Sequence, residues 1–132
     1  MYDRIVVGAA GTEAARIAID QAMELAGTVG AEVHLVLAFD PYRDRAHPET
    51  QPATREAEEF LASLGAGFGG VLHRHAVPGD AADAILGVAD SVDADLIVVG
   101  NKGMKGKGRV LGSVTNTISH KAGCSVLIVS TT

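Results

Sequence analysis

The segment from residue 100 to residue 113 combines residue types that suit the binding of an anion. It reads Gly-Asn-Lys-Gly-Met-Lys-Gly-Lys-Gly-Arg-Val-Leu-Gly-Ser, with five glycines and four basic residues before the final serine. Glycine lets backbone N–H groups approach a phosphate, and a helix N-terminus adds unpaired donors and a partial positive charge. The apolar run 95–99 predicts a strand before this segment, and the residues from Ser113 predict a helix after it. The sequence therefore predicts a phosphate cradle.

The net charge of −5 is divided unequally along the chain. Residues 1–95 contain all sixteen acidic residues and six of the eleven Lys and Arg, whereas residues 96–132 contain five Lys and Arg and no acid. A basic end on an acidic protein favours a small anionic ligand. The acidic remainder would repel a polyanion, so we expect no nucleic-acid partner. A basic loop that is merely solvated is the alternative.

Length and composition predict one globular domain over residues 1–132. Apolar residues make up 47% of the chain, which suffices for a real core. No run approaches the ~18 apolar residues of a membrane span, and no signal peptide is recognisable, so we expect a cytoplasmic protein that does not contact a membrane. The single cysteine, Cys124, excludes an internal disulfide. Its apolar surroundings predict a buried, inert thiol.

Apolar runs alternate with helical patterns along the chain. Strands are predicted at 3–8, 32–38, 71–77, 95–99 and 125–130, and helices at about 12–29, 54–64, 80–92 and 113–121. This alternation implies a parallel sheet with helices on both faces, in which the more polar third strand lies at an edge. Ligands of such sheets bind beyond the carboxyl ends of the strands, where the strand order reverses. Loops 8–11 and 100–103 line one crevice if the first and fourth strands are neighbours.

The order of these motifs resembles the universal stress protein superfamily over nearly the whole chain. The Walker pattern is absent, and the glycines at 106, 108 and 112 imitate a dinucleotide fingerprint only weakly. The matching segments are Ile5-Val-Val-Gly8 with Gly11-Thr12, Gly79-Asp80-Ala81, Ala94-Asp-Leu-Ile-Val-Val-Gly100, Gly112-Ser113-Val114 and Cys124-Ser-Val-Leu-Ile-Val129. The ATP-binding branch carries G-x₂-G-x₉-G-[ST], whereas eight residues separate Gly103 from Gly112 here.

The resemblance implies an α/β fold and a role for each matching position. The fold is an open five-stranded parallel sheet in the order 3-2-1-4-5 with helices on both faces, Rossmann-like and similar to the adenine nucleotide alpha hydrolases. Nucleoside contacts are implied for Gly8, Ala9, Ala10, Ala38 and Val99. Phosphate contacts are implied for Gly100, Gly103, Gly112 and Ser113, with Asn101 and Val114 beside them. Among the basic residues of the loop, we favour Lys102 and Arg109 as further phosphate contacts.

Ala10 departs from the pattern of the nucleotide-binding members, which usually carry an aspartate at this position. A carboxylate accepts hydrogen bonds from ribose or adenine, and a methyl group does not. The loss of one such bond costs about 1 kcal/mol, or roughly fivefold to tenfold in affinity. Asp40 is a substitute acceptor by position, although a solvated loop aspartate is the favoured interpretation.

The leading hypothesis is a dimeric universal stress protein that binds ATP or another adenine nucleotide, such as AMP or cyclic AMP, with or without Mg²⁺. It would sense the nucleotide and signal to a protein partner that the sequence does not identify. The bare apolar strand 125–130 predicts a homodimer, because an unprotected strand edge invites pairing. A nucleotide-free interaction module and a weak ATPase are the alternatives. The loop has no obvious carboxylate to hold Mg²⁺ or activate water, so no catalytic residue is predicted.

Three histidines lie in predicted strands. His73 and His75 share one strand face, but no third ligand is evident from the sequence, so we expect solvated side chains and no metal. His34, within an apolar run, is expected to be buried or half-buried with its polar groups satisfied.

Overall fold

The computed structural model describes residues 2–10, 12–40, 52–102 and 111–131. Within these residues, five strands alternate with four helices along the chain. They are β1 (Arg4–Gly8), α1 (Glu13–Val29), β2 (Glu32–Phe39), α2 (Pro52–Ala62), β3 (Leu72–Pro78), α3 (Ala81–Ser91), β4 (Leu96–Asn101), α4 (Ser113–Lys121) and β5 (Ser125–Ser130). No described helix has both the length and the apolar character that a membrane crossing requires.

The strands form one parallel sheet in the order β3-β2-β1-β4-β5. This order confirms the fold that the family resemblance implies. β1 lies at the centre, where Ile5, Val6 and Val7 are completely buried between β2 and β4. Because β1 and β4 are neighbours, Gly8 and Gly100 lie at the ends of adjacent strands on either side of the strand-order reversal, as a shared crevice requires.

Successive residues of each strand face opposite sides of the sheet, so the core has two halves. One half packs α1 and α2 against the face that carries Ile5 and Val7. The other half packs α3 and α4 against the face that carries Val6 and Ile97. Helix α1 fits its half because its buried residues recur at helical spacing, namely Ala18, Ile19, Ala22 and Ala26.

Local chemistry defines the ends of α1 and α3. The Thr12 hydroxyl accepts a 3.1 Å hydrogen bond from the Ala15 N–H at the start of α1. At the end of α1, Gly30 has a φ of 75°, a conformation that glycine adopts without steric cost, and its N–H donates to the Ala26 carbonyl. The Asp80 carboxylate accepts from the Asp83 N–H at the start of α3. Thr12 and Asp80 are the helix starts that the sequence predicted.

Other boundaries shift by one or two residues from their predicted positions. Helix α2 begins at Pro52 rather than Thr54 and ends at Ala62 rather than Leu64. Strand β4 extends through Asn101, because Asn101 pairs with Ser130 of β5. Pairing with a neighbouring strand thus lengthens β4 beyond its apolar run.

Edge strand β3 stabilises helix α2 through Arg74. The Arg74 Nε donates to the Leu61 carbonyl at 2.8 Å, and the second guanidinium nitrogen, Nη2, donates to the Leu64 carbonyl at 2.7 Å. Carbonyls near a helix C-terminus lack intrahelical partners, and a cation there also complements the helix dipole. The polar residues of β3 predicted an edge strand, and one of them, Arg74, stabilises the end of α2.

We expect Arg74→Met to lower the free energy of unfolding by about 1.5–3 kcal/mol, because hydrogen bonds from a charged donor contribute about that much. Urea denaturation followed by circular dichroism measures the loss. Arg55→Met, at an exposed position of α2, is the matched control and should change stability by less than about 0.5 kcal/mol. Equal stability of the two variants would contradict this role for Arg74.

Candidate functional site

A cavity of about 230 Å³ lies at the carboxyl end of the sheet, between the ends of β1, β2 and β4 and the starts of α1, α3 and α4. Its lining is largely apolar and contains small residues from all six elements. The lining includes seven of the predicted site residues, namely Gly8, Ala9, Ala10, Ala38, Val99, Gly100 and Val114. The structure thus brings together the predicted nucleoside positions, one predicted phosphate contact, Gly100, and Val114, which was predicted beside the phosphates.

Two larger depressions are present on the described surface. One, of about 840 Å³, lies beside residues 67–71 and the end of α1. The other, of about 350 Å³, lies between α1 and α2 and shares Ala10 and Thr12 with the smaller cavity. The smaller cavity is nevertheless the stronger candidate for a ligand site. It occupies the position where the strand order reverses, where ligands of open α/β sheets bind.

Asn101 connects the end of β4 to the start of α4. Its side chain is buried, with 4% of the residue exposed. The Asn101 Oδ1 accepts a 2.8 Å hydrogen bond from the Gly112 N–H, and its Nδ2 donates to the Lys102 carbonyl at 2.6 Å. Asn101 therefore holds Gly112 beside the sheet and positions the first turn of α4. It does not line the cavity itself.

The start of α4 differs from the starts of α1 and α3 in having no side-chain cap. The N-cap residue is Gly112, which makes no side-chain hydrogen bond, and Ser113 is the first helical residue. Ser113 therefore does not cap this helix with its side chain. Val114 and Thr115 of this first turn line the cavity. The first-turn N–H groups and the positive end of the helix dipole thus lie next to it.

The remaining predicted residues have different placements. Lys102, Gly112 and Ser113 are exposed and do not line the cavity. Gly103 and Arg109 lie outside the described residues, as do Lys105 and Lys107. The part of the predicted phosphate loop that the structure describes therefore consists of its two ends, which Asn101 joins.

Ala10 lines the cavity and is exposed, so the position that usually carries a carboxylate faces the site with a methyl group. Asp40 is exposed and is not among the lining residues. No carboxylate is present among the described residues that line this cavity. Its polar side chains are the hydroxyls of Thr12 and Thr115, and both already hydrogen-bond to backbone atoms.

Sequence reasoning missed several lining residues. They are Thr12, Ala14, Ala15, Val36, Leu37, Ala81, Ile85 and Thr115. Most lie in the first turns of helices or near the ends of strands, where the element pattern could have indicated them. Ile85 lies deeper in α3 and had no such signal. Its Cδ1 lies 2.8 Å from the place that a Cβ on Gly8 would take, so the absence of a side chain at Gly8 leaves room for Ile85 beside the cavity.

Outside the cavity, two sequence interpretations need correction. His75 is half-buried rather than solvated, and its Nε2 lies 2.9 Å from the Nδ1 of His34. Parallel pairing of β2 with β3 causes this contact, and a single strand pattern does not reveal it. His34 is buried and hydrogen-bonded, as predicted. Cys124 is half-buried rather than buried, and burial, followed by the nearby Asp95 and Asp90 charges, raises the pKa of its thiol.

Comparison with known proteins identifies the family. The sequence model of the universal stress protein family matches residues 1–130, so the chain belongs to this family. Universal stress protein Rv1636 of Mycobacterium tuberculosis is 32% identical over 149 aligned positions, which cover 99% of this chain and 98% of the relative. The resemblance found in the sequence is therefore confirmed.

Two solved structures relate this fold to ligands. A universal stress protein crystallised in complex with cAMP is 33% identical, with a TM-score of 0.70 and coverage of 99% of this chain and 98% of that one. A universal stress protein family member from Arabidopsis thaliana, solved with AMP bound, is 17% identical, with a TM-score of 0.70 and coverage of 97% and 91%. At this lower identity the likeness concerns the fold alone.

Gly100 permits the close packing of β4 against α1. A Cβ at position 100 would lie 2.5 Å from the Ala14 carbonyl oxygen, which belongs to the backbone and cannot rotate away. We expect Gly100→Ala to lower the free energy of unfolding by about 1–3 kcal/mol, as overpacking does. Thermal and urea denaturation measure the change.

Gly87→Ala is the matched control for this experiment. Gly87 lies within α3, and a Cβ there would meet no atom within 4 Å. Alanine at that position should raise stability by about 0.5–1 kcal/mol. A Gly100→Ala protein as stable as the unsubstituted chain would show that α1 adjusts without cost, contrary to our expectation.

Proposed function

We propose that the cavity and the start of α4 bind an adenine nucleotide, and that the protein acts as a regulator by this binding. The observation that carries the proposal is the placement of the α4 N-terminus, without a side-chain cap, beside an apolar cavity at the strand-order reversal. An apolar surface suits a base, and a helix N-terminus suits a phosphate. The site therefore offers complementary surfaces to both parts of a nucleotide.

The apolar part of the site is formed at the ends of β2 and β4. Ala38 and Val99 line the cavity together with Val36 and Leu37. Such small aliphatic side chains leave room for a flat ring and contact its faces. The edges of the base would then be recognised by backbone groups, because the described lining offers few polar side chains.

The phosphate would lie at the first turn of α4. The Asn101 side chain fixes Gly112 in place by accepting its N–H, which leaves the N–H groups of the following residues directed towards the helix start. The absence of acidic residues from 96 to 132 also favours an anion at this end of the chain. Lys102 follows Asn101, whose side chain contacts Gly112 at this turn, and it is exposed, so its long side chain is a candidate contact for a bound phosphate.

Ala10 makes cyclic AMP the favoured ligand. ATP and AMP each carry two ribose hydroxyls, and a carboxylate at position 10 would accept hydrogen bonds from such donors. The 3′ oxygen of cyclic AMP is esterified to its phosphate, so only the 2′ hydroxyl seeks an acceptor. Cyclic AMP therefore loses least from a methyl group at this position. The universal stress protein structure with cAMP, at 33% identity, supports the choice.

The same features favour binding over turnover. The described residues that line the cavity include no carboxylate to hold Mg²⁺ or to activate water. The proposed role is therefore a cytoplasmic sensor whose nucleotide changes the surface shown to a protein partner, and the role requires no hydrolysis.

Calorimetric titration with cyclic AMP, AMP and ATP tests the proposal. Ser113→Glu places a carboxylate at the first residue of α4, where it repels a phosphate, and should weaken binding at least about tenfold. Ser119→Glu, at an exposed position later in α4, is the matched control and should bind normally. Ala10→Asp should tighten AMP and ATP binding by roughly fivefold to tenfold and cyclic AMP binding by less.

The outcomes separate the proposed function from its alternative. Equal binding by the Ser113→Glu and Ser119→Glu proteins would place the phosphate elsewhere. A Kd of 1 mM corresponds to a binding free energy of about −4 kcal/mol. If the protein binds none of the three nucleotides at concentrations up to about 1 mM, nucleotide sensing is refuted. An interaction module without a nucleotide would then be the better account.

We further propose a homodimer that forms through β5. In the part of the chain that the structure describes, β5 pairs with β4 on one side only. Its residue Leu127 is 38% exposed, and the strand carries neither charge nor proline to discourage pairing. Pairing of β5 with the β5 strand of a second copy would add backbone hydrogen bonds along this edge and cover Leu127.

Leu127→Asp should convert the dimer to a monomer or weaken it at least about tenfold, because the change buries a charge in the interface. Sedimentation velocity at micromolar concentration measures the oligomeric state of each variant. Val71→Asp is the matched control, because Val71 is an exposed apolar residue outside β5 and is 55% exposed. A monomeric unsubstituted protein, or dissociation of both variants, would contradict the β5 interface.

A further inference from the structure

Strands β2 and β3 bring four ligand-type side chains together on one face of the sheet. Glu32 and His34 are two residues apart on β2, and His73 and His75 are two residues apart on β3. The register pairs His34 directly with His73. All four side chains therefore project from the same face, which also carries Val36 and Val6 and packs against α3 and α4.

The contacts within this histidine cluster, defined as Glu32, His34, His73 and His75, are short. The His34 Nε2 lies 2.9 Å from the Glu32 Oε1, and the His34 Nδ1 lies 2.9 Å from the His75 Nε2. The His73 ring stacks on the His34 ring, with centroids 4.6 Å apart. His34 is buried, whereas His73 is exposed to solvent.

A proton must lie between Glu32 and His34 in this arrangement. Two lone pairs would repel at 2.9 Å, so a hydrogen lies between the His34 Nε2 and the Glu32 Oε1. A cation that replaced this hydrogen would meet a lone pair from each atom.

We propose that the histidine cluster is a binding site for a divalent transition-metal ion of the Zn²⁺ type, with Glu32, His34 and His73 as its ligands. The ion would take the place of the hydrogen between Glu32 and His34. A neutral His34 would then carry its hydrogen on Nδ1 instead of Nε2, an exchange that passes through water, and a water molecule would complete the coordination. Two imidazoles and one carboxylate form a known ligand set for zinc sites with an open position.

The distances fit this site after a small rearrangement. One ligand atom from each of Glu32, His34 and His73 lies within 4.8 Å of the others. Zinc ligands at about 2.0–2.2 Å from the ion lie roughly 3.3 Å from one another in a tetrahedron. The separation of 2.9 Å between Oε1 and Nε2 therefore needs to widen by a few tenths of an ångström. The exposed His73 ring has to turn from its stacked position, and its exposure also gives the ion a path of entry.

His75 would support the site without binding the ion. When the His34 Nε2 binds the metal, its Nδ1–H donates to the His75 Nε2, and such an outer hydrogen bond orients the imidazole ligand. His75 accepts this hydrogen on Nε2 with its own ring hydrogen on Nδ1.

Arg4 of β1 competes with the ion. Its Nε lies 3.4 Å from the same Glu32 Oε1, and its side chain is 48% exposed. The titratable and charged groups around His34 are thus Arg4 on β1, Glu32 on its own strand, and the two histidines of β3. Removal of the positive charge of Arg4 should therefore raise the affinity of the histidine cluster for a cation.

Calorimetric titration of Zn²⁺ into the chelator-treated full chain, without a histidine tag and without nucleotide, tests the proposal. We expect one ion per chain. His73→Ala should weaken binding at least about tenfold, because even outer partners of metal ligands contribute 10–100-fold. Arg4→Gln should tighten binding about twofold to fivefold, the effect of removing one exposed competing ion pair. Co²⁺ absorption provides an independent readout of nitrogen and oxygen coordination.

His120→Ala is the matched control, because His120 is an exposed histidine in α4, outside the cluster. Its variant should bind Zn²⁺ as the unsubstituted chain does. His73 is exposed at an edge strand, so its variant should fold, and circular dichroism verifies this. Saturation only above about 1 mM Zn²⁺, or equal affinities of the His73→Ala and His120→Ala proteins, would overturn the proposal.

Discussion

The pairing of β1 with β2 on one side and β4 on the other is the constraint on which the rest of the structure depends. The chain proceeds from β1 outward to β3 and then returns to the other side of β1 with β4. All strands of a parallel sheet have their carboxyl ends on the same side of the sheet, so the turns after the neighbouring strands β1 and β4 adjoin. The crevice between those turns is a geometric consequence of this reversal.

Small residues make this crevice usable. Gly100 lets the backbone of β4 approach the first turn of α1, where a Cβ would collide with the Ala14 carbonyl. Asn101, the next residue, uses its buried amide to hold Gly112 at the start of α4. One tight contact and one buried polar clamp thus determine where a helix N-terminus meets the apolar cavity. A ligand at this site would be held by backbone groups and shape, which is the recognition we propose for a cavity that has Ala10 and no carboxylate among its described lining residues.

Edge strand β3 carries polar side chains, in contrast to the central strand β1, where Ile5, Val6 and Val7 are completely buried. On β3, Arg74 donates to the carbonyls of Leu61 in α2 and of Leu64 just beyond it. His73 and His75 face the opposite side of the sheet and contact His34. His34 can be buried without a large free-energy cost because each of its ring nitrogens has a hydrogen-bond partner. The histidine cluster is separate from the proposed nucleotide site, whose lining residues on β2 lie at the carboxyl end of that strand.

Sequence alone determined the alternating elements, the edge character of β3 and the starts of α1 and α3, because apolar period and capping residues are local signals. The order of the strands came from the resemblance to universal stress proteins, and the structure confirmed it. Thr12 and Asp80 could be recognised as caps from their own neighbours. The clamp from Asn101 to Gly112 could not, since it spans eleven positions.

Only the tertiary structure placed Ile85 in the cavity and joined His34 to His73 and His75. The latter contact links residues 41 positions apart through the register of two parallel strands. Register depends on how all five strands pack together, and no periodicity within a single strand encodes it. Local patterns therefore determined which elements form, and the packing of those elements decided which side chains meet.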